Sequence, residues 1–419
     1  MRSSIKRLML ERREHTRFRS LPSMERAIVF YSEGEEHWQH FRPIVEYMTN
    51  KLGRNICYVT SSETDPILGD SGGRIRAFYI GKGVVRTSFF MKLAAKVMVM
   101  TMPDLQTFHI KRSKVSPVHY VYVFHSIIST HMIYREKAFD NFDTILAVGP
   151  HHESEIRATE EEYGLNPKIL VSHGSGRLDT IIRENRDRAF LEQPIEYTKA
   201  NVLVAPSWGP HGLIESCGAA LAEILLEGGF NVIFRPHPRT GQTCPQAIAA
   251  LKEFEGRDGF RLELDISGQE SMYTSHVMIS DWSGSALEYA FGLERPVIFI
   301  DVPRKVNNPA YKRIGLIPLE DSIRRDVGEI VTTNELSRLP QVINRLCSDP
   351  EAFRERIRVA RQATVHNIGS SGKTGAAAID AIVNPADRSV LAKRNDTRKI
   401  AALPPRERKP GNFDANKDT

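Results

Sequence analysis

Residues 281–289 (DWSGSALEY) have the composition of a phosphate-binding junction between a strand and a helix. Small hydroxyl and glycine residues at such a junction leave backbone N–H groups free to bind an anion, and the helix dipole favours a phosphate there. Glu288 follows about one helical turn later, where a carboxylate can reach the hydroxyl groups of a ribose. We therefore predict a site for the phosphates and ribose of a nucleotide, formed by Asp281, Ser283, Gly284, Ser285 and Glu288.

A second segment, residues 235–238 (RPHP), follows the strand-like run 231–234. Its two prolines restrict the backbone, so the side chains of Arg235 and His237 are held in fixed directions. A fixed pair of cationic groups beside a helix N-terminus is suited to stabilising the charge on a departing nucleotide phosphate. Together the two segments predict an enzyme that uses a nucleotide-activated donor.

His125 directly follows the strand-like run 119–124. A histidine at the carboxyl end of a strand, with an ordinary pKa of about 6.5, is suited to act as general base on a hydroxyl nucleophile. The alternative is a histidine that is hydrogen-bonded to the backbone of its own loop, and the sequence leaves both interpretations open.

Two further polar residues follow predicted strands. Arg177 lies in the segment GSGRLD at 174–179 and can bind a phosphate, while Asp179 can orient Arg177 or cap a helix. The alternative for this segment is a simple turn with a capping aspartate. Ser207 ends the first strand of the second half of the chain, where its hydroxyl can bind a phosphate or cap a helix N-terminus.

Strand-like and helix-like stretches alternate along the chain and must position these residues. Such alternation predicts βαβ units and parallel sheets covered on both faces, in which ligands bind at the carboxyl ends of the strands. The predicted strands are 27–31, 56–60, 77–80, 97–101, 119–124, 144–148 and 169–171 in the first half, and 201–205, 231–234, 261–264, 277–280 and 296–300 in the second. The predicted helices are 41–51, 213–226, 244–254, 285–292 and a last helical region at 334–362.

We therefore predict an α/β protein with two doubly wound, Rossmann-like parallel-sheet domains and a cleft between them. The first domain is expected at 27–190 and the second at 200–385, with a polar linker over 183–199. A basic segment at 1–26 precedes them and can form a helix, and a polar, basic tail at 386–419 is expected to be disordered. The segment GSSGKT at 369–374 lacks the spacing of a P-loop, and we expect a loop there.

Composition argues against several classes of protein. Apolar residues make up 41% and charged residues 26% of the 419 residues, as in an ordinary soluble globular protein. No apolar run approaches the ~18 residues of a membrane span, and no apolar segment follows the basic N-terminus as in a signal peptide. The four cysteines are scattered without a CxxC pair, which indicates a reducing cytoplasm and argues against structural zinc. We expect neither a metal ion nor a cofactor.

The net charge of +6 is concentrated at the two ends of the chain. Residues 1–26 and residues 388–419 each carry a net charge of +5, so the body between them carries −4. A negative body argues against a nucleic-acid partner, which requires a basic surface on the folded domains. The basic ends can instead meet an anionic membrane surface, or they can simply be solvated. We therefore predict a cytoplasmic protein, with peripheral attachment to the inner face of the cell membrane as one interpretation.

The order of these motifs resembles that of the CDP-glycerol glycerophosphotransferase family, to which the primases and polymerases of bacterial teichoic acids belong. The shared pattern is a histidine after a strand, then G-x-x-R-x-D, A-P-[ST]-W, R-P-H-P, and D-[WY]-S-[SG]-x-x-x-[ED] before a Pro-Val-Ile-Phe strand. It covers roughly residues 115–305.

The resemblance implies a GT-B fold and the transfer of glycerol phosphate from CDP-glycerol, or a related CDP-polyol, with release of CMP. The implied acceptor is a hydroxyl of an envelope polymer or of a lipid-linked molecule. The resemblance also implies that His125 is the base and that His237 stabilises the phosphate or the leaving group. The nucleotide is then held by Arg235, Ser283, Ser285 and Glu288.

Three segments depart from the pattern of the family. The family has Trp-His-Gly where this chain has Phe124, His125 and Ser126; in the other two, Gly176 replaces a proline and Gly284 stands in place of a second serine. These departures keep other donors open, such as a different polyol phosphate or a nucleotide sugar. The alternatives are a GT-B nucleotide-sugar glycosyltransferase or epimerase, and a non-catalytic protein that binds a nucleotide or a polymer.

Overall fold

Parallel strands form two separate sheets in the computed structural model, which describes residues 2–69, 72–191, 199–265 and 268–384. The first sheet has seven strands in the order β3-β2-β1-β4-β5-β6-β7. These strands are β1 (Ile28–Ser32), β2 (Ile56–Thr60), β3 (Ile75–Tyr79), β4 (Val97–Met100), β5 (His119–Val123), β6 (Thr144–Ala147) and β7 (Ile169–Ser172). The helices of this half are α1 (Arg2–Ser20), α2 (Trp38–Asn50), α3 (Val84–Met91), α4 (Thr130–Ile133), α5 (Pro150–Glu162) and α6 (Gly176–Leu191).

The second sheet has six strands in the order β10-β9-β8-β11-β12-β13. They are β8 (Asn201–Val204), β9 (Asn231–Phe234), β10 (Phe260–Leu262), β11 (Val277–Ser280), β12 (Val297–Asp301) and β13 (Gly328–Thr332). The helices that follow are α7 (Leu213–Glu227), α8 (Pro238–Thr243), α9 (Pro245–Lys252), α10 (Glu270–Thr274), α11 (Gly284–Leu293), α12 (Leu319–Val327), α13 (Leu339–Ser348), α14 (Pro350–Thr364) and α15 (Ser371–Val383). Short 3₁₀ helices lie at Glu35–His37, Pro66–Leu68, Pro309–Ile314 and Thr333–Arg338.

The predicted architecture of two doubly wound parallel sheets is confirmed. In each sheet the strand order reverses once, between β1 and β4 in the first and between β8 and β11 in the second. At such a reversal, the loops that follow the two neighbouring strands run in opposite directions and leave a crevice between them. Ligands of doubly wound proteins bind in this crevice, at the carboxyl ends of the strands. The central strands are almost completely buried, since both faces of each sheet are covered by helices.

The predicted linker at 183–199 is wrong over its first part, because α6 continues to Leu191. The start of α6 is anchored by Leu178 and Ile181, which are buried against Gly292 of α11. The polar residues that suggested a linker form the exposed side of this helix, and residues 192–198 lie outside the described part of the chain.

The expected loop at 369–374 is also wrong, because α15 begins at Ser371. Asp179 accepts hydrogen bonds from the backbone N–H groups of Gly369 and Ser371, at 2.6 and 3.0 Å, and so caps this helix. Small residues let α15 lie close to α2, since a Cβ on Gly372 would overlap with the backbone of Pro43. The chain thus returns at its end to the first sheet.

Two smaller differences concern the second half of the chain. Strand β13 was not predicted, because its short sequence GEIVT lies at the edge of the sheet and pairs only with β12. The single helical region predicted at 334–362 is divided into a 3₁₀ helix, α13 and α14. The expected disordered tail at 386–419 lies outside the described residues.

The expected basic N-terminal helix is present as α1. Its Phe18 is buried against Phe78 of β3 and Phe89 of α3, with ring centroids 5.4 and 4.9 Å apart. Ile5 and Met9 on the same helix are exposed. No helix among the described residues is both long enough and apolar enough to span a bilayer.

Candidate active site

The turn between β11 and α11 presents the small hydroxyl groups that the sequence predicted for a phosphate site. Ser283 caps α11, and its hydroxyl accepts a hydrogen bond from the backbone N–H of Ser285 at 3.4 Å. The two serine hydroxyls are 2.8 Å apart, and that of Ser285 also donates to the carbonyl of Ala205 at the end of β8. These groups lie where the strand order reverses, so hydroxyl groups and the positive end of a ten-residue helix face the crevice together.

Asp281 lies beneath this turn and positions it. Its side chain is 1% exposed, and its two carboxylate oxygens accept hydrogen bonds from the backbone N–H groups of Ser207 and Leu213, at 2.7 and 3.3 Å. The carboxylate therefore fixes the loop that carries Ser207 and Trp208 to the end of β11. Burial raises the pKa of Asp281, while the two hydrogen bonds oppose this shift.

Arg177 and Glu288 meet across the two halves of the molecule. The Arg177 Nε atom, on α6, donates to a Glu288 carboxylate oxygen on α11 at 2.6 Å, and both side chains are largely buried. Arg177 also donates to the side-chain oxygen of Gln39 on α2. Both ionic residues were predicted to bind the donor, and they are each other's partners in this structure.

Arg235 and His237 follow β9 on the other side of β8. Arg235 donates to the carbonyl of Gly268 and to the Ser271 hydroxyl, and burial lowers its pKa. The Nδ1 atom of His237 accepts a hydrogen bond from the backbone N–H of Arg239 at 3.1 Å. This contact leaves the proton of a neutral imidazole on Nε2, which can therefore donate to a phosphate oxygen.

Burial lowers the pKa of His237 to about 4, and the positive charges of Lys305 and Arg239 add to the effect. The imidazole is therefore neutral near pH 7 in the free protein. A bound phosphate would act in the opposite direction, because an anion favours the protonated form. His237 is thus suited to gain positive charge as negative charge develops on a leaving nucleotide.

His125 lies at the carboxyl end of β5, and its Nδ1 atom is 3.2 Å from the carbonyl oxygen of Thr101 at the end of β4. A carbonyl can only accept, so Nδ1 carries the proton and Nε2 has the free lone pair of a base. Burial lowers the pKa of His125 to about 4, with a smaller contribution from His37. The contact with Thr101 therefore fixes the tautomer that a base requires, and the role of His125 as the base stays a prediction.

Two histidines that sequence reasoning missed surround His125. The ring centroids of His37 and His40 lie 5.8 and 6.2 Å from that of His125. They belong to the polar run SEGEEHWQH at 32–40, which follows β1. The rule that identified His125, a polar residue directly after a buried strand, does not reach His37, which lies at the end of the 3₁₀ helix that follows β1.

The loop that carries His125, residues 125–131, is fixed by side chains from two helices. His151 and His152 of α5 contact the carbonyl oxygens of Ile127 and Ile128, at 2.7 and 2.8 Å. Glu155 of α5 accepts hydrogen bonds from the Thr130 N–H and hydroxyl.

Glu320 of α12 accepts hydrogen bonds from the Ser129 N–H and hydroxyl, each at 3.2 Å. Since α12 belongs to the second sheet, Glu320 links this loop to the other half of the molecule.

The His125 loop and the α11 junction meet in the cleft. A Cβ on Gly284 would overlap with the hydroxyl oxygen of Ser126, so the two segments approach closely here and a side chain at position 284 would require that hydroxyl to move. The His125 loop and the start of α11, with its two serine hydroxyls, therefore meet from two sheets, and Arg235 and His237 follow β9 of the second sheet. This arrangement can deprotonate a hydroxyl and stabilise a phosphate that leaves.

No group of histidine, cysteine, aspartate or glutamate residues suited to holding a metal ion occurs in the described ranges.

The chain matches a family model described as CDP-Glycerol:Poly(glycerophosphate) glycerophosphotransferase over residues 15–305. A comparison with curated protein sequences finds no significant match.

Solved structures with a similar fold include the wall teichoic acid polymerase TagF, from a crystal soaked with CDPG. It is 13% identical, has a TM-score of 0.56, and the match covers 90% of this chain and 95% of that one. A putative UDP-N-acetylglucosamine 2-epimerase from Listeria monocytogenes is 12% identical, with a TM-score of 0.53 and coverage of 87% and 98%. The UDP-GlcNAc 2-epimerase from Neisseria meningitidis is 13% identical, with a TM-score of 0.51 and coverage of 85% and 99%. These matches show the two-domain fold.

Proposed function

The chain belongs to the CDP-glycerol:poly(glycerophosphate) glycerophosphotransferase family, and we propose that its cleft performs the reaction with His125 as base and with Arg235 and His237 at the leaving group. The protein is a transferase that moves glycerol phosphate from CDP-glycerol during the synthesis of a cell-envelope polymer. The contact between the His125 loop and the α11 junction carries the proposal, because it brings the base to the predicted phosphate site.

The proposed reaction is a displacement at the phosphorus atom that carries the glycerol. The acceptor hydroxyl gives its proton to Nε2 of His125, and its oxygen forms a new bond to this phosphorus. The bond between the phosphorus and the bridging oxygen of the diphosphate breaks, and CMP leaves with the electron pair. Arg235 and the Nε2–H of His237 stabilise the negative charge on CMP, together with the N–H groups and hydroxyls at the start of α11.

The ion pair between Arg177 and Glu288 is proposed to open when the donor binds. Glu288 would then accept hydrogen bonds from the ribose hydroxyls, and Arg177 would bind a phosphate oxygen. Burying a charged group away from water costs free energy unless it has a partner. Arg177 and Glu288 would each have a partner before the donor binds, namely each other, and after it binds, namely the donor.

The test of the activity is a donor panel with the purified protein and a membrane extract as acceptor. The donors are CDP-glycerol, CDP-ribitol, and common UDP, GDP and CMP sugars, and the released nucleotide is identified. CMP released from CDP-glycerol is the expected result. Release of a nucleoside diphosphate from a nucleotide sugar would instead show a glycosyltransferase.

Replacement of the base tests the assignment of His125. The change His125→Ala is expected to reduce the release of CMP by about 100-fold or more, because the contribution of a general base is of this size. Binding of CDP-glycerol should change less than about threefold, since none of the proposed donor contacts is made by His125. A variant with unchanged turnover would remove His125 from the mechanism.

We also propose that the protein attaches peripherally to the inner face of the cell membrane through α1. Ile5 and Met9 are exposed on this helix, and the segment 1–26 carries a net charge of +5. An anionic surface attracts basic residues near it by about 1 kcal/mol each.

A flotation assay tests this attachment, and we expect binding to vesicles that contain phosphatidylglycerol and not to neutral ones. Binding that is unchanged in a Lys6→Glu, Met9→Glu variant would exclude α1 as the attachment.

A further inference from the structure

Two cations that the proposed reaction does not use lie over the indole ring of Trp208. The Arg239 guanidinium carbon is 4.5 Å and the Lys305 Nζ atom is 4.3 Å from the ring centroid. The ring of His237 lies beside them, with its centroid 6.1 Å from that of Trp208. The residues come from the segments that follow β8, β9 and β12, with Arg239 in α8, so the fold rather than local sequence assembles this group.

Within the described part of the chain, neither Arg239 nor Lys305 forms a salt bridge with a carboxylate. The carboxylates of Asp281 and Glu215 act on Lys305 only as more distant charges, and the oxygens of Asp281 already accept from backbone N–H groups. Burial lowers the pKa of Lys305, and Arg239 adds to this shift by repulsion. Like charges held together out of water cost free energy, and a bound anion would remove that cost.

The location of the cluster relative to Glu288 indicates which part of the donor it can reach. Glu288, the proposed ribose ligand, lies one turn inside α11, and Ser283 and Ser285 lie at the start of the helix. Trp208 lies next along the cleft from the start of α11, because the backbone N–H of its neighbour Ser207 donates a hydrogen bond to Asp281 at the end of β11. A donor whose ribose is at Glu288 and whose first phosphate is at the start of α11 would therefore extend its second phosphate towards the cluster.

We propose that Arg239 and Lys305, held over Trp208, bind the second phosphate of the donor, the one that carries the polyol and is transferred. This inference rests on the proposed function. It adds a means of selection: CDP-glycerol contacts both residues, whereas the product CMP has only the first phosphate and loses these contacts. The free enzyme should therefore prefer nucleotides with two phosphates, and release of CMP is favoured after transfer.

The test compares the dissociation constants of CDP and CMP by titration calorimetry, for the wild type and for Lys305→Met, Arg239→Met and the double variant. We expect the wild type to bind CDP more tightly than CMP. Each single change should weaken CDP binding by about tenfold, as expected for the loss of one hydrogen bond to a charged group. Binding of CMP should change less than about twofold. The change Lys312→Met, at an exposed lysine in the 3₁₀ helix Pro309–Ile314, is the control and should alter neither constant.

Two outcomes would overturn the inference: equal binding of CDP and CMP by the wild type, or an equal loss of both in the variants. The variant Lys305→Arg keeps the positive charge and must retain the preference for CDP. It therefore distinguishes the loss of a phosphate contact from misfolding caused by any substitution at this position. The proposed function is tested separately by CMP release from CDP-glycerol. The wild type could prefer CDP through these residues and yet not turn over CDP-glycerol. That result would exclude the proposed function, while the phosphate site at Arg239 and Lys305 would still stand.

Discussion

At the scale of single residues, the site depends on imidazoles that are neutral in the free protein. His125 and His237 each have one ring nitrogen engaged by the backbone, and this contact decides which nitrogen faces the cleft. Burial lowers the pKa of both to about 4. A neutral His125 can accept a proton from the acceptor, and a neutral His237 can become charged only when an anion is near it.

The low pKa of His125 predicts an unusual pH profile. The base is active when it is deprotonated, so kcat/KM is lost as the pH falls through its pKa in the free enzyme. We expect kcat/KM for CDP-glycerol to stay nearly constant from pH 8 to about pH 5 and to fall below that. An acidic limb near the ordinary histidine pKa of about 6.5 would show that the imidazole is solvated in the working enzyme.

Glu288 is expected to recognise the ribose. In the variant Glu288→Gln, the preference for CDP-glycerol over its 2′-deoxycytidine analogue should fall by about tenfold, because hydrogen bonds to a charged group are lost. The control is Arg177→Met, which removes the ion pair but keeps the carboxylate, and it should retain the preference. The measurement is kcat/KM for both donors, and loss of the preference in Arg177→Met alone would reverse the two roles.

At the scale of elements, α5 and α12 hold the loop of the base in place. Glu320 of α12 is 4% exposed and accepts two hydrogen bonds from Ser129. Burial raises its pKa to about 7, and the nearby charge of Glu155 adds to this. The carboxyl group of Glu320, which joins α12 to the His125 loop, is therefore partly protonated at neutral pH.

This protonation predicts how one substitution changes stability with pH. A carboxyl group with a raised pKa in the folded state destabilises the protein as the pH rises, because the folded state must release a proton that the unfolded state has already lost. Between pH 6 and 8 the wild type should lose about 1.4 kcal/mol of stability from Glu320. Glu320→Gln keeps the hydrogen-bond acceptor without the titration.

The measurement is the unfolding free energy of both proteins at pH 6 and pH 8 in denaturant. The variant should lack the loss that the wild type shows between these values. Equal losses in the two proteins would place the titrating group elsewhere.

At the scale of the whole molecule, neutral histidines are distributed unequally between the two halves. Burial lowers the pKa of His37, His125 and His173 to about 4, and takes those of His40 and His152 well below the ordinary value. All of these belong to the first sheet and its helices, whereas His237 is in the second half.

This distribution predicts that acid destabilises the first half before the second. Below about pH 6.5 the unfolded chain binds protons at these histidines while the folded state does not, so stability rises with pH between about 4 and 6.5. Each such histidine contributes a slope of up to about 1.4 kcal/mol per pH unit in that range. The raised pKa values of Glu320 and of other carboxyl groups, such as Asp179 and Asp281, act in the opposite direction and reduce this slope.

Hydrogen exchange measured at pH 7 and pH 5 distinguishes the two halves. After correction for the intrinsic pH dependence of exchange, amides of β1, β4 and β5 should lose protection at pH 5. Those of β8 and β11 should change less. Greater loss in the second sheet would contradict the prediction.

The sequence by itself determined the strands other than β13, the parallel sheets and the order of the motifs along them. Buried parallel strands are short apolar runs, and polar residues directly after them, such as His125 and Arg235, must lie at the carboxyl edge of a sheet. For this reason the fold class, the family and the candidate site residues could be predicted without coordinates.

Only the tertiary structure decided which of these residues meet. The pairing of Arg177 with Glu288, the contact of Ser126 with Gly284 and the gathering of Arg239 and Lys305 over Trp208 each join residues far apart in the chain. The return of α15 to the first sheet depends likewise on the fit of small residues against α2. Such contacts arise from the packing of two domains, and local periodicity carries no information about distances across a cleft.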